Sequence, residues 1–284
     1  SRGGRHGDDG LKIGRQGLQP VYDFWDGPAE DKPWLVWYAP FLPHTPHNPP
    51  QRLLDKYRDL APTLPIAKYW AMCEWFDETV GELLDGLDER GLSENTLVVF
   101  VADNGWIQRP NANGYAPRSK RTPYEGGIRT PIMFRWPGKI APKRDEETLV
   151  SSIDLAPTIL AQCGLEPTAE MAGLDLSPVL VGKSISRGAI VGEIFSHDVV
   201  SIDDPSPSLL SRWVISGNWK LIAPVELSAA RLAELPGERE ITTESGGVEL
   251  FDLSGDPGEG KNLAKENPDV VQRLREILKP AQRN

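Results

Sequence analysis

The sequence predicts an α/β fold: a mostly parallel sheet flanked by helices, followed by a small C-terminal antiparallel α+β subdomain. Three observations carry this. Two continuous apolar runs of strand length, Trp34 to Ala39 (WLVWYA) and Leu97 to Val101 (LVVFV), suit strands covered on both faces. Between them, Ile66, Tyr69, Trp70, Cys73, Phe76, Val80, Leu83, Leu84 and Leu87 step by threes and fours along one helical stripe that ends near Gly91. Beyond residue 185, AIVGEIF, RWVISGNWKLI and GVELFDL alternate between turn residues, the pattern of antiparallel pairing.

Strand, long helix and strand make a βαβ unit, which implies parallel strands and a right-handed crossover. A further strand is expected at Ile132 to Trp136, closed by a turn at Pro137 and Gly138. In SSIDLAPTILAQCG, Ser151 stands as N-cap, Asp154 at the capping-box position and Gly164 as the stop. The last helix has Asn267 as N-cap and Pro268 in its first turn, with Val271, Leu274 and Leu278 on one face. Domain boundaries are therefore expected at 1–185 and 186–284.

The chain has 284 residues, and a chain of this length can bury roughly 75% of its unfolded surface without staples. No apolar run approaches the 18 residues of a membrane span. A net charge of −10 disfavours nucleic acid as a partner, because a polyanion is repelled on average. Two cysteines, Cys73 and Cys163, make neither a disulfide framework nor a multi-cysteine zinc site. The opening SRGGRHGDDG has no initiator methionine and no apolar leader, so an upstream region is expected. Its Asp8 and Asp9 read as solvated loop residues.

The stretch LVVFVADNG ends an apolar run in a carboxylate and an amide. Asn-Gly alone signals a hairpin, but WIQRPNANGYAPRSKR has no alternation with which to return as a strand. Asp103 and Asn104 read better as the C-terminal end of a buried parallel strand, where open α/β sheets place ligands. A carboxylate beside an amide oxygen suits a hard cation such as Ca²⁺, although two ligands fall short of the six to eight that Ca²⁺ takes. The following loop carries Arg109, Arg118, Lys120 and Arg121 with no acid, a positive patch suited to an anionic group, while any single Arg of it also reads as a solvated loop cation. Upstream, PFLPHTPHNPP braces His44 and His47 with prolines. His44 can exchange a proton or face an oxyanion, and His47 is equally compatible with a structural role.

PFLPHTPH, VADNG, SKRTPYEGGIRTP and SSIDLAPTIL, in this order, resemble the C-terminal portion of a sulfatase, a family of the alkaline phosphatase superfamily. The resemblance runs from about Gly14 to LFDLSGDPGEGKNLA, and its most specific element is the Lys120 to Pro131 pattern. It implies a partial alkaline-phosphatase-like core in 1–185. It also implies Asp103 and Asn104 as ligands of an active-site Ca²⁺, with Mg²⁺ possible. Lys120 and His44 would be catalytic groups contacting the sulfate and its bridging oxygen. Glu125, Gly126 and Gly127 would be structural, and Arg129 an internal ion-pair partner. Trp106, directly behind the metal pair, offers a stacking surface for substrate.

The family's nucleophile, a formylglycine made within Cys-x-Pro-x-Arg, has no counterpart around Cys73 or Cys163. The chain is thus expected to hold half of a site and to be inactive alone. Its expected partners are a sulfated small molecule or glycan, and either an N-terminal half or further copies of itself to cover a bare sheet edge. Phosphodiester or phosphonate hydrolysis is the alternative within the superfamily, although those relatives favour Asp-His where this chain has Asp103-Asn104. A non-catalytic sulfated-glycan-binding remnant is the alternative outside it. For the complete protein, the resemblance suggests a periplasmic or extracellular location.

Overall fold

Proline and glycine punctuate the helices of this computed structural model, which describes residues 12–197, 199–225 and 247–279. Asp8 and Asp9 lie outside the described residues. The chain divides into two compact units, Ser1–Leu97 with Gln108–Tyr115, and Val98–Ile107 with Ala116–Asn284.

In the first unit, α1 (Gln19–Trp25), α2 (Gln51–Arg58) and α3 (Leu64–Glu89) supply the regular structure. Pro65 lies in the first turn of α3, where its absent N–H costs nothing, and Gly91 at φ +64° follows its end. The expected helix is present, but its buried face differs from the expected stripe. Ala67, Ala71, Met72, Thr79, Gly86 and Leu87 are buried, whereas Trp70 is 39% exposed. Small side chains allow closer approach than bulky ones, so Ala and Gly join Met72 and Leu87 in the buried face, while the rest of the expected stripe is half-buried or, at Trp70, exposed. At Gly86 a Cβ would stand 2.6 Å from the Tyr22 ring.

The expected strand Trp34 to Ala39 is not a strand here. The segment belongs to no ladder among the described residues, and Leu35 and Trp37 are 78% and 89% exposed. Its other face is anchored by side chains: Trp34 packs on Trp25 with ring centroids 5.6 Å apart, and the Tyr38 hydroxyl meets Thr79 Oγ1 at 3.1 Å. An apolar run sets strand propensity, while backbone pairing needs a neighbouring strand.

In the second unit, β1 (Val98–Val101) pairs with β2 (Ile132–Arg135) in antiparallel register, Val98 opposite Arg135 and Val101 opposite Ile132. This corrects the expected βαβ unit and buried parallel strand: every pair of strands described is antiparallel, and Val101 is exposed. Gly138 at φ +76° makes the expected turn after β2. Between β1 and β2 lies the single-turn α4 (Glu125–Ile128).

The capping box is present: the Ser151 N–H donates to Asp154 Oδ2 at 2.8 Å, starting a 3₁₀ turn that runs into α5 (Leu155–Gln162), and Gly164 at φ +72° follows. Asp154 does more than cap. It is fully buried and takes two bonds from Arg187, at 2.7 and 2.5 Å, and one from the Leu174 N–H at 2.8 Å. Burial acts to raise its carboxyl, but the guanidinium and backbone donors outweigh it and leave the group below the ordinary carboxylate range.

After α6 (Ser177–Leu180), strands β3 (Ile190–Phe195), β4 (Leu209–Ser216), β5 (Trp219–Pro224) and β6 (Glu249–Asp252) form an antiparallel sheet in sequence order. This matches the expected subdomain. Alternation divides its two faces. Val214, Leu221 and Leu250 cluster with Leu274 of α7 (Pro268–Leu278), the expected final helix. Lys220, Ile222 and Phe251 turn the other way, where Ile222 and Phe251 cluster with Tyr124. Both sides of residue 185 thus contribute to the second unit.

Candidate active site

Asp103, Asn104 and Trp106 follow β1 directly. Asp103 is exposed, and its carboxylate has no hydrogen-bond or ion-pair partner among the described residues. Asn104 is half-buried and its Nδ2 donates to the Gly105 carbonyl at 2.8 Å, which leaves Oδ1 as the atom with ligand character. Trp106 is half-buried.

Glycines bind this strand end to the segment that carries Lys120. The Gly105 N–H donates to the Gly127 carbonyl at 2.9 Å, and a Cβ on Gly105 would stand 2.3 Å from the Gly126 carbonyl oxygen. A Cβ on Gly127 would meet the Ser119 carbonyl at 2.3 Å, and one on Gly126 the Arg118 carbonyl at 2.5 Å. Only glycine permits backbone to pass backbone this closely. One more tie completes the seam, from the Ile107 N–H to Ser119 Oγ at 2.6 Å.

The turn from Arg118 to Thr122 holds two non-glycine residues in the left-handed region, Arg118 at φ +58° and Arg121 at φ +69°. Such residues persist only where surroundings over-determine them. Here the Thr122 hydroxyl and N–H both donate to the Ser119 carbonyl, at 2.6 and 3.1 Å, and Ser119 is fully buried. Lys120, between the strained positions, is half-buried, and its ammonium has no partner among the described residues.

Behind the turn is a buried charge network. Lys220 Nζ, fully enclosed, lies 2.9 Å from Glu125 Oε1 and 2.8 Å from Glu259 Oε1. Glu259 Oε2 accepts the Glu125 N–H at 2.7 Å, which satisfies a donor at the start of α4. Burial pushes the Glu259 carboxyl up, against the pull of the Lys220 ammonium. The Arg118 guanidinium stacks 4.1 Å from the Tyr124 ring centre and donates to the Glu259 carbonyl oxygen. The Tyr124 hydroxyl donates to Glu249 Oε2 at 2.7 Å. Glu125 is therefore structural, and Arg118 is committed to packing rather than to an open positive patch. Arg129 is a correction: its side chain is 68% exposed and stands 3.8 Å from Glu125 Oε2, a surface partner rather than an internal one.

His44 belongs to the first unit. Its Nδ1 lies 2.8 Å from the Thr45 carbonyl, and a carbonyl only accepts, so Nδ1 carries the proton. The ring sits 4.7 Å from that of Phe41. His47 is buried against Tyr69, ring centroids 5.5 Å apart. Burial, reinforced by His44 and Lys68, pushes its imidazole below the ordinary value, which fits a neutral packing role. Arg109 is exposed, with its N–H bonded to the Gly114 carbonyl at 3.0 Å.

The donor set at Asp103 and Asn104, one carboxylate oxygen and one amide oxygen, has the chemistry of a hard-cation site. No group of three or more His, Cys, Asp or Glu that could hold a metal occurs among the described residues. These residues fit a metal as part of a ligand set.

The family model described as Sulfatase matches residues 17–165. The chain belongs to the sulfatase family. It is 32% identical to human "Arylsulfatase A" over 264 residues, covering 89% of this chain and 49% of that protein. It is 31% identical to the "N-acetylgalactosamine-6-O-sulfatase" of Bacteroides thetaiotaomicron over 222 residues, 71% of this chain and 39% of that protein. The chain thus spans about half or less of the length of these sulfatase relatives. Among solved structures, a 6S-sulf protein from the Bacteroides thetaiotaomicron metabolism of glycosaminoglycans superposes with a TM-score of 0.71 at 25% identity, over 95% of this chain and 54% of that one. The phosphonate monoester hydrolase of Silicibacter pomeroyi follows at 0.58, also 25% identical, over 80% of this chain and 44% of its own. The fold is that of the alkaline-phosphatase-like sulfatases, with mixed helices and sheets.

Sequence reasoning overlooked the support of the sulfatase motif by Lys220, Glu249 and Glu259. One signal was present: Lys220 interrupts the apolar alternation of WKLI on a strand otherwise built for burial.

Proposed function

We propose that the chain carries the metal- and sulfate-binding part of a sulfuric ester hydrolase acting on a sulfated small molecule or glycan. The observation that supports this best is the strand end Asp103-Asn104, stapled through Gly105 and Gly127 to the strained turn that holds Lys120. An exposed carboxylate and a half-buried ammonium, both without protein partners among the described residues, are groups kept for something other than the fold.

In this reading Asp103 and Asn104 supply two oxygens to a Ca²⁺ ion, with Mg²⁺ as the other candidate. When bound, the ion would neutralise negative charge on the sulfate oxygens. Lys120 holds the sulfate by charge-assisted hydrogen bonds that strengthen as charge builds on the bridging oxygen. His44, its Nδ1–H fixed on the Thr45 carbonyl, in its imidazolium form gives the Nε2 proton to the oxygen of the departing alcohol and is left as the neutral Nδ1–H tautomer. Trp106 offers a ring face to an aryl or sugar leaving group. The nucleophile, a formylglycine in the family, is not supplied by Cys73 or Cys163, so the 284-residue chain by itself is inactive. Residues 1–185 are the catalytic part and 186–284 its C-terminal subdomain.

An aryl sulfate assay with added Ca²⁺ tests the reading. Expected are no turnover from this chain and turnover from a protein that adds the Cys-x-Pro-x-Arg segment, abolished there by chelation and cut by about 100-fold or more in Asp103→Ala. Brisk hydrolysis by the 284-residue chain would sink the half-site reading. The resemblance to a phosphonate monoester hydrolase supports a second reading, phosphoryl or phosphonyl transfer. Asn104 in place of an imidazole ligand favours sulfate. Rates on matched sulfate and phosphonate monoesters decide between the two.

A further inference from the structure

We infer that Glu259, in the loop after β6, is a positioning residue for Lys120, so that the C-terminal sheet is a working part of the sulfate-binding site. This rests on the proposed role of Lys120.

Glu259 is nearly fully buried and sits at φ +57°, flanked by Gly258 and Gly260. A left-handed backbone is disfavoured for a glutamate, and glycine would remove that cost. The glutamate therefore does something at this position that glycine would not. Its three oxygens reach three parts of one assembly: Oε1 meets the Lys220 ammonium, Oε2 accepts the Glu125 N–H, and the backbone oxygen accepts from the Arg118 guanidinium. Arg118 is itself left-handed and lies two residues before Lys120, while Glu125 opens α4 just beyond the turn. Glu259 thus grips the Lys120 turn on both sides, with Lys220 balancing its charge from below. Gly126 and Gly127 leave no slack, since the Arg118, Ser119 and Thr122 carbonyls already pass within 2.6 Å of where their Cβ atoms would be. A shift of Glu259 would reach Lys120 through contacts alone.

Two measurements test this. In the purified chain, reductive methylation read by peptide mass spectrometry reports the reactivity of each lysine. Glu259→Gln removes the charge facing Lys220, and Glu259→Gly removes the side chain while suiting the backbone. Both are expected to change the Lys120 rate by roughly fivefold. Lys139, stacked on Trp136 in the same unit, is expected to stay within the error of wild type. In the complete, active protein, Lys120→Ala and Glu259→Gln should each lower kcat/KM on an aryl sulfate, and the double variant should be no slower than Lys120→Ala alone, because a displaced lysine and an absent one lose the same contact.

An unchanged Lys120 labelling rate in both variants, or kinetic losses that multiply, would overturn the positioning role and leave the sulfatase reading intact. Undiminished turnover in Lys120→Ala would overturn the role of Lys120 itself, and the positioning inference with it.

Discussion

Lys220 shows how one side chain can carry more of a site than its charge suggests. It is fully enclosed, and its ammonium is shared between Glu125 and Glu259. Removing one partner from a buried charge network leaves the others desolvated and uncompensated, which costs about 3–5 kcal/mol, whereas exposed pairs such as Lys261 with Glu266 contribute little. Lys220→Met is therefore expected to lower unfolding stability by that amount in urea titrations, and the double variant Lys220→Met/Glu259→Gln to recover part of it. If Lys220→Met loses less than about 1 kcal/mol, the network is not holding the turn. At this scale the sequence was partly legible. The proposed site residues Asp103, Asn104 and Lys120 stand out because residue type and place coincide: oxygen-bearing side chains after an apolar run, and a lysine inside a specific motif. Glu259 does not, and Lys220 shows only as a charge within an apolar strand, because their meeting with Glu125 spans a gap of more than ninety residues that no local pattern encodes.

At the scale of elements, regular structure was legible where local chemistry decides and illegible where a neighbour does. The capping box at Ser151 and Asp154, the end of α3 near Gly91 and the antiparallel ladder β3 to β6 rest on caps, glycines and alternation within each segment. The pairing of β1 and the fate of Trp34 to Ala39 depend on which strand lies alongside, information that an apolar run does not contain. The seam between the end of β1 and the Lys120 turn is an element-scale feature with a direct test. Gly105→Ala places a methyl group 2.3 Å from the Gly126 carbonyl, and backbone on both sides leaves no flexible atom to yield. The expected result is a loss of roughly 1–3 kcal/mol in stability, together with weaker Ca²⁺-dependent protection against heat as Asp103 and Asn104 move. Gly91→Ala, also strained but with nothing near its Cβ, serves as the control: it should cost stability without altering the response to Ca²⁺. Equal responses to Ca²⁺ in the two variants would detach the seam from the proposed metal site.

For the molecule as a whole, acidity acts on two buried carboxylates with opposite signs. Asp154 is held below its unfolded value of 3.8 by Arg187 and backbone donors, so its contribution is present above that pH and is lost as pH falls through the depressed folded value. Glu259 is pushed above its unfolded value of 4.5, so its contribution is present below that pH and is lost as pH rises through the raised folded value. Near neutrality the first stabilises the fold and the second opposes it, a cost consistent with keeping Glu259 for position rather than stability. Asp154→Asn should therefore lose about 3–5 kcal/mol at pH 7, where Arg187 is left without its carboxylate, and the gap to wild type should narrow as pH drops below 3.8. Glu259→Gln should behave in the reverse sense, losing ground to wild type as pH falls through the raised folded value towards 4.5, because only the native glutamate gains from protonation. Urea unfolding of both variants at pH 7 and pH 3.5 measures this directly. Parallel pH profiles for the two substitutions would contradict the assignment, since a pair of carboxylates perturbed in opposite directions cannot respond alike to the same protons.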